Sequence, residues 1–193
     1  MAAKILSTAG RRDVYKRQGK SQTVRLELTM DPRTTVPAED LAKQFDLEQK
    51  ISRRLTVAHK TVNQLRDLRA QVEAMNKKYA GVSAWDPLRP GAEELIKKLT
   101  AVEEQLVQTK VKSTEGDLNF PTMLDEQLTY LSFAVDAGDA SPSAPQVETF
   151  EMLSKKIGEQ LSKWDGILSQ DLLNLNRLAE KQKIPLLDAR GGQ

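Results

Sequence analysis

The sequence predicts an all-α protein: an antiparallel up-down four-helix bundle with two long outer helices, preceded by one orphan β-strand. Apolar residues recur at threes, fours and sevens over four segments, which is the spacing of a helix face turned toward a core. The stretches between those segments are rich in Pro, Gly and Ser. The composition, 29% charged and 5% aromatic, is that of a water-facing helical bundle rather than of a β-sandwich.

The chain opens with residues 1–18, and GRRDVYKRQGK (10–20) sets five basic side chains against the single acid Asp13. The string Asp13–Gln18, DVYKRQ, is similar to the translation of a mosaic-end adapter used in transposase-tagged libraries. Such scars are excluded from fold reasoning, so residues 1–18 are expected to be an artefact or disordered, with genuine sequence starting near Gly19. The chain carries a formal charge of +2. Without residues 11–20 it would be net negative, so no polyanion partner is expected outside this stretch.

Residues 19–33 read as the last strand of a truncated β-domain. Val24, Leu26 and Leu28 alternate with Arg25, Glu27 and Thr29, the period of a half-buried strand, and Asp31-Pro32 ends it because Pro cannot continue a ladder. The helical bundle is expected over 37–190. Its first helix spans 37–79: Pro37, Glu39 and Asp40 suit an N-terminus, and Leu41, Phe45, Ile51, Leu55, Ala58, Val62, Leu65, Val72 and Tyr79 form the stripe. GVSAWDPLRPG (81–91) is a turn. A second helix over 91–110 carries Leu95, Leu99, Val102 and Leu106, and a third over 121–137 carries Leu124, Leu128, Leu131 and Val135.

DAGDASPSAPQ is a hinge in which Ser143 is a fair N-cap for the last helix, 144–183. That helix carries Val147, Phe150, Leu153, Ile157, Leu161, Trp164, Leu168, Leu172, Leu175 and Leu178. Sequential helices joined by short loops pack antiparallel, which gives the four-helix bundle. At ~1.5 Å per residue each outer helix is about 60 Å long, leaving room for the outer pair to extend past the inner hairpin as a stalk.

Candidate chemistry is sparse. There is no Cys and only one His, so neither a thiolate site nor a nucleophilic triad has its parts; His59 reads as a surface side chain. Asp125 and Glu126 fall in a helix first turn, where acids suit the dipole. Asp136 and Asp139 sit where a helix runs into a hinge, as turn formers do; paired carboxylates of glycoside hydrolysis are the competing reading. Trp85 sits in the Pro/Gly turn, where it covers a bundle end or touches a partner, and Trp164 belongs to the core stripe. Glu103, Glu104 and Lys110 read as solvated surface. No catalytic, cofactor or metal residue is assigned, and neither a membrane span nor a signal peptide is legible.

One segment says more than its periodicity. TKVKSTEGDLNFPTMLDEQLTYLSFAVDAGDASPS (109–143) resembles the C-terminal helical region of bacterial proteins with sortilin-like, BNR-repeat β-propellers, commonly labelled glycosyl hydrolases. The positions that carry the likeness are Phe120-Pro121, then Leu124, Leu128 and Leu131, then Asp139 and Pro142-Ser143. Met30-Asp31-Pro32-Arg33 before the first helix, and Asn174, Asn176 and Ile184-Pro185 at the end, are similar as well. The resemblance implies a non-catalytic interaction or structural module of a secreted protein, without cofactor, partnered by β-domains of the same parent chain or by another protein. It places that parent outside the cell or in the periplasm. The alternative it leaves open is part of a glycoside hydrolase that contributes carboxylates. A nucleic-acid binder with a basic arm is the third reading, and it rests on residues 11–20 alone.

Overall fold

A computed structural model of the chain describes residues 11–17, 20–26, 29, 31–111 and 119–189. The N-terminal part is a two-stranded antiparallel ribbon of β1 (Arg11–Arg17) and β2 (Lys20–Leu26), in register from Arg11↔Leu26 to Arg17↔Lys20. The strand expected to be an orphan is therefore paired. Its partner is the stretch set aside as adapter, which carries β propensity of its own in Val14 and Tyr15. Leu28 and Met30 lie outside the described residues.

From Ala38 onward the described chain is helical apart from its connections: α1 (Ala38–Lys78), α2 (Arg89–Leu106), α3 (Leu124–Asp136), α4 (Ala144–Gly166) and α5 (Leu173–Lys181). A π-helical turn, Ile167–Leu172, joins α4 to α5 without a break, so the two form one rod. A short 3₁₀ turn, Ser83–Trp85, links α1 to α2. There Trp85 is buried against Tyr79, ring centroids 5.8 Å apart, and its indole N–H donates to Asn76 Oδ1 at 2.9 Å. It closes a bundle end.

Contacts between helices give the directions. On α1, Arg66 and Arg69 meet Glu103 near the end of α2, whereas Asn76 meets Trp85 before its start. Gln44 meets Val135 and Gly138 at the end of α3, and His59 meets Asp125 at its start. Both α2 and α3 therefore run antiparallel to α1. Arg54 bonds Ser154, and Gln71 bonds Asp188 beyond α5, so the α4–α5 rod runs parallel to α1.

The expected up-down alternation is corrected accordingly. The four helical segments are present, but α2 and α3 lie one after the other in a single column between two long rods. α2 covers the C-terminal half of α1 and α3 the N-terminal half, so no two-helix stalk remains. The physical reason is local. α2 ends beside Arg66 and α3 begins beside His59, so the chain travels about two turns along α1 without reversing.

The buried stripe runs through all three columns. It includes Leu47, Ile51, Leu65 and Leu68 of α1, Leu95 and Leu99 of α2, Leu128 of α3, and Leu153, Ile157 and Trp164 of α4. Three members of the expected stripe, Phe45, Val147 and Leu178, are instead exposed. The π turn is explained by register. Ile157, Gln160, Trp164 and Ile167 are buried at spacings of three and four, and an unbroken α-helix would next bury Asp171. The wider turn adds one residue, so Leu172 enters the core instead and Leu175 and Ala179 follow it. Ser169 Oγ donates to the Asp165 carbonyl at 2.8 Å, satisfying an acceptor in the widened turn.

After α5 the chain reverses in a Schellman turn. The Ile184 N–H donates to the Ala179 carbonyl at 2.9 Å and the Lys183 N–H to Glu180 at 3.0 Å, with Lys183 at φ 56°. Ile184 and Ala179 are both buried, as the motif favours, and Pro185 bars further helix. Residues 184–189 then run back along the groove between α1 and α5, burying Ile184, Leu187 and Ala189. Asn176 fixes the backbone of Leu187 through both its N–H and its C=O, at 2.8 and 2.9 Å. Gln71 does the same for Asp188, at 3.0 and 2.7 Å.

Candidate functional site

The residues singled out in the sequence fall mostly into structural roles. Leu124, Leu128 and Leu131 are buried, as their spacing requires. Pro121 offers its carbonyl to the Gln108 side chain at 2.9 Å, and Phe120 lines the same small hollow at the end of α2. Pro142 lies half-buried before α4, where the Ser143 N–H donates to Gln146 Oε1 at 2.8 Å. The Gln146 amide in turn reaches the Ala134 carbonyl at 2.9 Å, tying α4 to the end of α3.

Asp136 is exposed and Asp139 half-buried, and both flank a different device. Gln44, buried on α1, donates to the carbonyls of Val135 at 2.6 Å and Gly138 at 2.8 Å. Those carbonyls end α3 and would otherwise lack partners. The acids thus border a helix C-terminus held by an amide. Asp125 Oδ2 lies 3.2 Å from His59 Nε2 and accepts from it when that nitrogen carries the proton, across α1 and α3 on a half-exposed surface. Among the described residues no group of three or more His, Cys, Asp or Glu side chains is placed to hold a metal ion.

One charged cluster was not legible. Glu103, read as solvated, is buried with its side chain 3% exposed, and it joins Arg66 Nε at 2.6 Å and Arg69 Nη1 at 2.5 Å. Its position one residue from Val102 on an amphipathic helix gave no signal; only the two arginines on α1, three residues apart, hinted at an acidic partner. A second pair, Lys98 Nζ to Asp171 Oδ1 at 2.8 Å, borders a 260 Å³ groove beside the π turn. The carboxylate holds the Lys98 ammonium above the ordinary lysine pKa. The register correction already accounts for this pair, because it brings Asp171 out to the surface beside α2.

What the surface does present is aromatic. Tyr130 and Phe133 lie on the side of α3 away from its buried stripe, Phe133 66% exposed. Phe45 is exposed on the flank of α1 that faces α3, next to Gln44. This flank lies at the end of the molecule where residues 31–37 lead into α1. Phe133 and Phe45 both lie near the Gln44–Val135 contact, so two helices carry exposed aromatic side chains at this end of the bundle.

No known family, curated protein or solved structure matches the chain.

Proposed function

We propose that the chain is a non-catalytic helical interaction module, the C-terminal helical region of a secreted bacterial protein with a sortilin-like, BNR-repeat propeller. Its partners are β-domains of the same parent chain, and its place is extracellular or periplasmic through that parent. The observation that carries this reading is the exposure of Phe45 on α1 and of Tyr130 and Phe133 on α3, at the end of the bundle where the segment joining β2 to α1 enters. A β-domain continuing from that segment would reach this end first. The ordered likeness of Phe120-Pro121, Leu124, Leu128, Leu131, Asp139 and Pro142 adds to it.

The test begins with DNA. The source sequence under residues 13–18, and the open frame upstream of them, should show an adapter joined to a frame encoding propeller blades. Expressed with those domains, the bundle should lose the exposure of Phe133, measured as protection of a Phe133→Cys thiol from labelling. An upstream frame without β-domains, or full labelling in their presence, contradicts the reading. Glycosidase activity of the chain that disappears in Asp139→Ala would replace it with an enzymatic one.

A further inference from the structure

A second surface lies on the opposite flank of α1. Two adjoining cavities, about 330 and 240 Å³, open between α1 and α4 and share Lys50 and Phe150 as lining residues. On α1 the first is lined by Lys43, Asp46, Leu47 and Lys50, the second by Lys50, Arg53, Arg54 and Val57. The two sets are offset by seven residues, which is about 10 Å along a helix. Their apolar surface comes from Leu47 and Val57 on one wall and Val147 and Phe150 on the other, with Val57 47% exposed.

The charge around the cavities is unequal. In the first, Asp46 is held by Lys50 at 2.6 Å, and Lys43 is engaged by Glu39 and Asp40 at 3.0 and 3.2 Å. Glu151 is the other acid there. The second cavity is lined by the guanidinium groups of Arg53 and Arg54 and by Lys50, whose ammonium is already paired with Asp46, with no carboxylate among its lining residues. Arg54 spends its Nε–H on the Ser154 hydroxyl at 2.8 Å, which fixes the guanidinium at the rim.

We infer that this groove docks an acidic amphipathic helix from a partner protein, seating apolar anchors at i and i+7 in the two cavities and carboxylates against Arg53 and Arg54. Anchors two turns apart match the cavity spacing, as in other helix-in-groove recognition. The acid-free cavity selects the charge. The occupied helix would make a fourth column beside α1 and α4. The inference is independent of the propeller reading, because Lys43 and Phe45 lie about 200° apart around α1, so the groove and the aromatic flank are separate faces.

The probe is a fluorescein-labelled, Ala-based helical peptide with Leu at positions 4, 8 and 11 and Glu elsewhere on its polar face. Its control carries Lys for every Glu. Fluorescence anisotropy with the full chain should show saturable binding of the acidic peptide, weakened by added salt, and none of the Lys peptide. Val57→Asp, at an exposed position, should lower affinity roughly tenfold or more while the circular-dichroism melt stays unchanged. The pair Arg53→Glu with Arg54→Glu should lower it similarly and admit the Lys peptide. Equal binding of both peptides, no binding of either, or an unchanged affinity in Val57→Asp overturns the inference. So does a dimer of the chain that Val57→Asp dissolves, since the groove would then be an interface between copies.

Discussion

The groove between the two long rods is filled at one end and open at the other. Beside the C-terminal half of α1, residues 184–189 lie in it, with Ile184, Leu187 and Ala189 buried and their backbone fixed by Gln71 and Asn176. Beside the N-terminal half, Val57, Val147 and Phe150 line the same groove without such a cover. The chain thus shows how this groove is satisfied: an apolar segment is laid in it and polar side chains at the rim hold that segment. The filled end uses amides that read backbone, whereas the open end carries the guanidinium groups of Arg53 and Arg54. The first arrangement serves stability, and the second is the one proposed for recognition.

If the filled end carries stability, removing its cover should cost most. Truncation after Lys183 exposes the surfaces that Ile184, Leu187 and Ala189 bury, and should lower unfolding stability by about 4 kcal/mol in urea titrations. Glu103→Ala follows at about 3 kcal/mol, because it strands Arg66 and Arg69 beside a desolvated site. Deleting Ser169 should cost about 1 kcal/mol or less: it restores an α register in which Leu172 still follows Ile167 into the core, at the expense of one exposed residue. Deleting Glu159 instead rotates Gln160, Trp164 and Ile167 by about 100° away from the core and should cost clearly more than deleting Ser169.

The smallest effect is electrostatic. Lys98 has its folded pKa raised by Asp171, so the pair's contribution is fully present below the ordinary lysine pKa and is lost as pH rises through the folded value. The stability difference between the wild type and Lys98→Met should therefore shrink at alkaline pH and stay constant through neutrality.

Periodicity was enough to find the helices. The stripes of α2 and α3 are buried almost as spaced and Ser143 marks the start of α4, whereas Pro90, read as part of a turn, lies in the first turn of α2. The direction of α3 was not legible, because a stripe carries no sense of up or down and the connection Val107–Met123 is too long to force a reversal. Length held a usable signal: the 18 residues of α2 and 13 of α3 fit end to end along the 41 of α1. The π turn was hidden because Leu168 keeps the α spacing, and only burial shows that Ile167 and Leu172 are the core pair. Asn176 and Ile184-Pro185 were legible as features of a resemblance, and the clamp and turn they form give them physical roles. The proposed docking groove was not legible, since Val147 and Phe150 both look like core on a helical wheel, whereas Val147 is exposed and Phe150 only partly buried against the core.

The comparison of the two ends is tested most directly by placing the same charge in each. Leu187→Asp puts a carboxylate into the filled groove and Val57→Asp puts one into the open groove, both read by urea unfolding of the full chain at neutral pH. A loss of about 3 kcal/mol is expected for Leu187→Asp and less than about 0.5 kcal/mol for Val57→Asp. Equal losses would mean that both ends of the groove are core, against the distinction drawn between them.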